Sequence, residues 1–255
     1  MTKIIKTVKE WVDFRDKESL RSRTVGLVPT MGALHSGHLS MIKKSQKEND
    51  VTVVSIFINP TQFNDKEDLN KYPRTYQQDL DLLNELKVDV LFYPEYPELY
   101  PDDFTYKIIE TSFSKLLCGA SRPGHFDGVL TVVMKLLNII KPNKGYFGEK
   151  DYQQYALIDR MAKAFFLPTQ IVMCPTLRDA DGLALSSRNV LLSPAEREQA
   201  SIFPQVLKSA KSKTDAIHDI EEAGITVDYI EEINGRRFGA VYLGKVRLID
   251  NVKLK

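Results

Sequence analysis

Val25-Gly26-Leu27-Val28-Pro29-Thr30-Met31-Gly32-Ala33-Leu34-His35-Ser36-Gly37-His38 decides the fold. Val25 to Val28 reads as a buried strand, Pro29 and Gly32 end it, and Leu39, Met41 and Ile42 open a helical period. Two imidazoles therefore sit between a strand and a helix N-terminus, where unpaired N–H groups and the helix dipole favour an anion. Gly37 lets backbone approach that anion closely. In an open parallel sheet, the crevice beyond a strand's carboxyl end is also where ligands bind. Two of the chain's four histidines fall there, and no G-x-G-x-x-G follows, so the site is not a dinucleotide fingerprint.

Outward from this turn, strands alternate with helices. Helices are expected over Thr7–Leu20, His38–Lys47, Tyr76–Leu86, Gly128–Ile140 and Tyr152–Phe165. Strands are expected at Thr24–Pro29, Val51–Ile58, Val88–Tyr93, Gly145–Phe147 and Thr169–Met173. Near-continuous apolar runs such as Val51–Ile58 predict strands buried on both faces, hence an α/β, Rossmann-like doubly wound parallel sheet. Beyond Pro175 come polar helices, Pro194–Lys211 and Asp215–Ala223, then strands near Thr226–Ile233, Ala240–Leu243 and Val246–Ile249. That change predicts two domains, 1–175 and a smaller α+β lid over 176–255.

Composition narrows the function classes. With 255 residues and 35 basic against 34 acidic side chains, no global field marks a nucleic-acid or membrane partner. Cys118 and Cys174 lack metal-ligand spacing and read as buried thiols, which fits the cytoplasm. No apolar run reaches the length of a membrane span, and Met1–Lys6 has no signal-peptide core.

Three further strand ends carry polar groups. Asn59-Pro60-Thr61-Gln62-Phe63 either binds a polar ligand or caps a turn. Gly148-Glu149-Lys150-Asp151-Tyr152-Gln153-Gln154 puts a lysine at the ligand edge of the sheet. In Leu185-Ser186-Ser187-Arg188-Asn189 the hydroxyls and guanidinium suit polyphosphate oxygens, or equally an N-cap beside a surface charge.

Together with Tyr72-Pro73-Arg74-Thr75 and Arg122-Pro123-Gly124-His125-Phe126-Asp127-Gly128-Val129, these segments resemble the pantoate–β-alanine ligase family, in order along nearly the whole chain. The first and last also resemble the paired ATP motifs of the wider nucleotidyltransferase and class I aminoacyl-tRNA synthetase superfamily. The resemblance implies a two-step ligation: ATP and pantoate give pantoyl adenylate and pyrophosphate, then β-alanine gives pantothenate and AMP. It assigns ATP contacts to Met31, Gly32, Ala33, Leu34, His35, Ser36, Gly37, His38, Gly148, Glu149, Lys150, Asp151, Leu177, Leu185, Ser186, Ser187 and Arg188. Among these His35, His38, Lys150 and Arg188 are the catalytic set, with His38 either proton donor or phosphate ligand. Gln62 and Gln154 are assigned to pantoate, Gln62 also near β-alanine, and Asp79 to Mg²⁺ on the phosphates. A homodimer is implied as well. Two departures stand out: Ser209–Lys245 is shorter than usual, and Leu185 stands where methionine is common. A superfamily nucleotidyltransferase acting on a phosphorylated acceptor is the alternative activity.

Overall fold

The computed structural model describes residues 1–254, the side chains of Glu18 and Ser19 excepted. Six strands, β1 (Lys3–Ile5), β2 (Val25–Thr30), β3 (Val51–Ile56), β4 (Val90–Phe92), β5 (Lys144–Gly148) and β6 (Gln170–Cys174), form one sheet in the order β1-β4-β3-β2-β5-β6. Every neighbouring pair is parallel. From β2 the chain winds outward through β3 to β4, then returns to β5 and winds the other way to β6. The switch point is therefore between β2 and β5, where such sheets bind ligands at their carboxyl ends.

Helices cover both faces. In chain order they are α1 (Val8–Arg15), α2 (Glu18–Arg21), α3 (Ser36–Glu48), α4 (Lys66–Lys71), α5 (Tyr76–Glu85), α6 (Tyr96–Leu99), α7 (Cys118–Ser121), α8 (His125–Ile140) and α9 (Tyr152–Ala164). Strand alternation divides the core. Val25, Leu27, Val53, Val90 and Phe92 pack with Trp11 and the apolar residues of α8 and α9. Val28, Val54, Ile56 and Leu91 point to the other face, against Ile42 of α3 and Leu83 of α5. Both sets are buried, which is why these strands read as near-continuous apolar runs.

The second unit holds α10 (Pro194–Gln199), α11 (Ile202–Ser209), α12 (Lys213–Glu222) and an antiparallel sheet of β7 (Thr226–Ile233), β8 (Arg236–Leu243) and β9 (Val246–Lys253). Its own core gathers Phe203, Leu207, Ile220, Ile230 and Val241. No helix among the described residues is long and apolar enough to cross a membrane.

Element boundaries differ from expectation in instructive ways. The helix expected over Thr7–Leu20 is two pieces, because α1 ends at Arg15 with Asp16 as its cap. The strand from Val51 stops at Ile56, and the polar residues after it turn into a short 3-10 segment, Pro60–Gln62. α3 begins at Ser36, so His38 lies inside the first helical turn. α8 begins at His125, three residues before the expected start, with Gly124 at φ +81° as its cap. Pro194–Lys211 divides into α10 and α11. β1 was not expected at all: three edge residues with one buried side chain, Ile5, carry no periodicity to read.

Candidate active site

The turn after β2 is held by its own hydroxyl and by a distant carboxylate. Thr30 Oγ1 donates to the Ser55 carbonyl at 2.8 Å and accepts from the Gly32 N–H at 3.1 Å. Gly32 and Ala33 then take φ +82° and +51°, a left-handed pair that costs energy at the alanine. Asp79 of α5 holds that pair in place. Buried to 2 % exposure, its carboxylate accepts from the N–H groups of Ala33 at 2.9 Å and Leu34 at 2.7 Å, and from Thr75 Oγ1 at 3.1 Å.

The chain then enters α3 through His35. Its Nδ1 accepts from the Gly37 N–H at 3.1 Å, while the His35 N–H donates to His38 Nδ1 at 3.3 Å. Since both Nδ1 atoms accept, each neutral ring carries its proton on Nε2. The rings lie 4.1 Å apart, centroid to centroid. Burial, then His35 and Lys150, push the His38 pKa down to about 3; burial and Lys150 also lower that of His35. Both imidazoles are thus uncharged N–H donors at neutral pH. Gly37 is required beside them, since a Cβ there would lie 2.8 Å from His35 Cε1.

Gln62 is positioned as carefully. Its side-chain oxygen accepts from Asn59 Nδ2 at 3.1 Å and its Nε2 donates to Met31 Sδ at 3.2 Å, tying the two strand ends together. Its backbone carbonyl accepts from His125 Nδ1 at 2.8 Å and Arg122 Nη2 at 3.3 Å. Gly128 lets α8 approach this turn, because a Cβ there would fall 2.4 Å from the Thr61 carbonyl oxygen.

Two more loops close the cleft. Lys150 follows β5, its ammonium 3.8 Å from the Asp151 carboxylate. From the other side comes Leu185–Arg188, where Ser187 Oγ meets Tyr72 OH at 3.4 Å and Arg188 Nη2 donates to Asp68 at 3.2 Å. The pocket they border is about 230 Å³ and open to solvent, with an apolar wall of Val129, Val132, Val133 and Leu136 from α8. It adjoins a wider cleft of about 790 Å³ that runs under the second unit and shares Lys150, Asp151, Gln154, Ser186 and Arg188 with it.

A family model for pantoate-beta-alanine ligase matches residues 3–253. The chain belongs to that family. It is 50% identical over 254 residues to the pantothenate synthetase of Bdellovibrio bacteriovorus, covering 100% of both. The pantothenate synthetase of Legionella pneumophila strain Lens is 49% identical over 251 residues, 98% of this ligase and 99% of that one. Among solved structures, a pantoate-beta-alanine ligase from Francisella tularensis, complexed with beta-gamma ATP and beta-alanine, superposes with a TM-score of 0.94 at 46% identity, covering 99% and 98% of the two chains. Pantothenate synthetase from Thermus thermophilus gives 0.89 at 38% identity, with 99% of each chain covered.

The ligase brings most of the expected residues to the smaller cavity, Gln62, Gln154, Leu177 and Leu185 included. Gly32, Ala33, Leu34, Ser36 and Glu149 are not on its wall. The first four shape the turn and the helix start; Glu149 instead pairs with Arg236 of β8 at 2.9 Å. Asp79 corrects an expectation. Its oxygens are buried and engaged by two amides and a hydroxyl, so it holds the turn after β2 and does not face the cleft as a metal ligand. Nor do the neighbours form a metal cage. Among the described residues, His218, Asp219 and Glu222 are the group close enough to share an ion, and they are exposed on α12.

Arg122 and His125 enter the sequence reading only as parts of a motif, without roles. Arg122 Nη1 lies 3.3 Å from His125 Nε2, and burial with that cation pushes the His125 pKa down to about 3. An unfolded histidine titrates near 6.5, so between those values the unfolded chain binds more protons. The stability contributed by neutral His38 and His125 is complete above about pH 6.5 and falls as pH drops toward about 3. A His125→Asn variant is therefore expected to lose melting temperature less steeply between about pH 6.5 and pH 4.5. Parallel melting-temperature profiles for variant and parent would contradict this.

Proposed function

We propose that this cleft condenses pantoate with β-alanine at the expense of ATP, through a pantoyl adenylate. What supports the reading is the convergence of the His35/His38 turn, Lys150 and Gln62 on one cavity whose inner wall is apolar. ATP phosphates lie at the α3 N-terminus, met by the two Nε2–H donors, Lys150, the Ser186 and Ser187 hydroxyls, and Arg188 once it leaves Asp68. These groups oppose the charge that builds on the α-phosphate as the pantoate carboxylate attacks and pyrophosphate departs. Gln62 and Gln154 take the pantoate oxygens, while its methyl groups face Val129, Val132 and Val133. The β-alanine amine then attacks the acyl carbon, and AMP leaves with one of the former carboxylate oxygens.

Magnesium belongs to this reading as the counter-ion of the ATP substrate, held by phosphate and water rather than by Asp79. A cytoplasmic homodimer completes it; sedimentation at the 29.1 kDa chain mass instead of twice that would remove the dimer. A nucleotidyltransferase with a phosphorylated acceptor fits less well, because the acceptor side of the cavity offers valines and amides where a second phosphate would need cations.

Exchange of labelled pyrophosphate into ATP tests the proposal. It is expected to require pantoate and to proceed without β-alanine; exchange indifferent to pantoate would refute it.

A further inference from the structure

Three polar side chains of the small sheet are buried without serving its core, Arg236 at 9 %, Asp250 at 4 % and Asn251 at 5 %, while Arg178 beside them keeps 29 % of its side chain exposed. Their partners lie across the cleft. Asn251 Nδ2 donates to the carbonyls of both Glu149 and Lys150, each at 2.9 Å. Its Oδ1 accepts from Arg236 Nη1, and Arg236 Nη2 reaches Glu149 Oε1 at 2.9 Å. The Arg236 guanidinium also lies 4.1 Å from the Tyr152 ring centroid. Both N–H positions of the Asn251 amide nitrogen are used, which fixes the orientation of that side chain against the loop.

The adjacent residue reaches the other phosphate loop. Asp250 takes a bidentate pair from Arg178 at 2.5 and 2.9 Å. Arg178 bridges Ala184 in a short antiparallel turn, closed by the Leu185 N–H on the Leu177 carbonyl at 3.0 Å, and that turn leads directly into Ser186–Arg188.

We infer that Asn251 is a positioning residue for Lys150. With its backbone pinned at Glu149 and Lys150, the loop presents the ammonium at one height above the His35/His38 turn.

This inference rests on the proposed contact of Lys150 with ATP, and a double-mutant cycle separates the two. Pantoate-dependent pyrophosphate exchange is measured for Lys150→Ala, Asn251→Ala and the double variant, with melting temperatures alongside. Asn251→Ala is expected to lower kcat for exchange by about 10- to 100-fold, with the pantoate KM nearly unchanged. In the Lys150→Ala background the same change is expected to cost less than about twofold, since the group it positions is gone. Equal losses in both backgrounds, or no loss in either, would overturn the inference while leaving the role of Lys150 intact. Normal exchange by Lys150→Ala alone would instead remove that role and this inference with it. Should Asn251→Ala not fold, Asn251→Asp keeps the acceptor for Arg236 and removes both donors, and the same cycle applies. Failure of both to fold would make Asn251 a purely structural residue and overturn the inference.

Discussion

Replacing His38 by alanine is expected to slow pantoate-dependent adenylation by about 10²- to 10³-fold, the scale for losing one preorganised donor to a developing charge. The geometry says why the loss is large. His38 Nδ1 is occupied by the His35 N–H, so the ring orientation is set and Nε2–H is the group left for the phosphate. With its pKa held near 3 by burial, His35 and Lys150, the ring enters the reaction uncharged. It acts as a donor that needs no reorganisation. The same reasoning separates its two expected roles. A His38→Gln side chain carries a terminal amide to the neighbourhood of Nε2, so it is expected to retain clearly more exchange activity than His38→Ala. Equal defects in the two variants, or a rate inflection near pH 6.5 in the parent enzyme that His38→Gln abolishes, would assign proton transfer instead.

Gly128→Ala is expected to raise the pantoate KM and lower kcat/KM by about 10- to 100-fold, the penalty for displacing a positioned substrate contact by an ångström or so. The new methyl group would fall 2.4 Å from Thr61 O and 2.7 Å from the Gln62 backbone nitrogen. Backbone rather than a flexible side chain must therefore give way. Moving that turn breaks the Gln62 carbonyl from His125 and Arg122, and the Gln62 amide from Asn59 and Met31. A fall in stability of about 1 to 3 kcal/mol accompanies it, as for other overpacked sites. Unfolding midpoint and steady-state kinetics on one preparation check both effects. Unchanged pantoate KM in a folded variant would contradict the placement of Gln62.

What was legible in the sequence and what was not divide along physical lines. The parallel sheet showed because its strands are buried on both faces, so Val51–Ile56 reads as a near-continuous apolar run broken only by Thr52 and Ser55. The histidine turn showed because its glycines, strand and helix are contiguous. The role of Asp79, which the resemblance had given to a cation, did not show because its partners at Ala33 and Leu34 are 46 and 45 residues away. His125 and Asn251 escaped assignment for the same reason, acting on carbonyls 63 and about a hundred residues distant. Side chains that serve another segment's backbone leave no local pattern. β1 shows the opposite limit, too short at three residues for any period.

Transfer of oxygen from substrate to nucleotide tests the central claim most directly. Pantoate labelled with ¹⁸O in both carboxylate oxygens is incubated with ATP, β-alanine and the ligase, and the AMP is examined by mass spectrometry. Attack of that carboxylate on the α-phosphate, followed by amine attack on the acyl carbon, predicts one ¹⁸O in each AMP and one in each pantothenate. Unlabelled AMP, or label appearing in inorganic phosphate beside ADP, would contradict it.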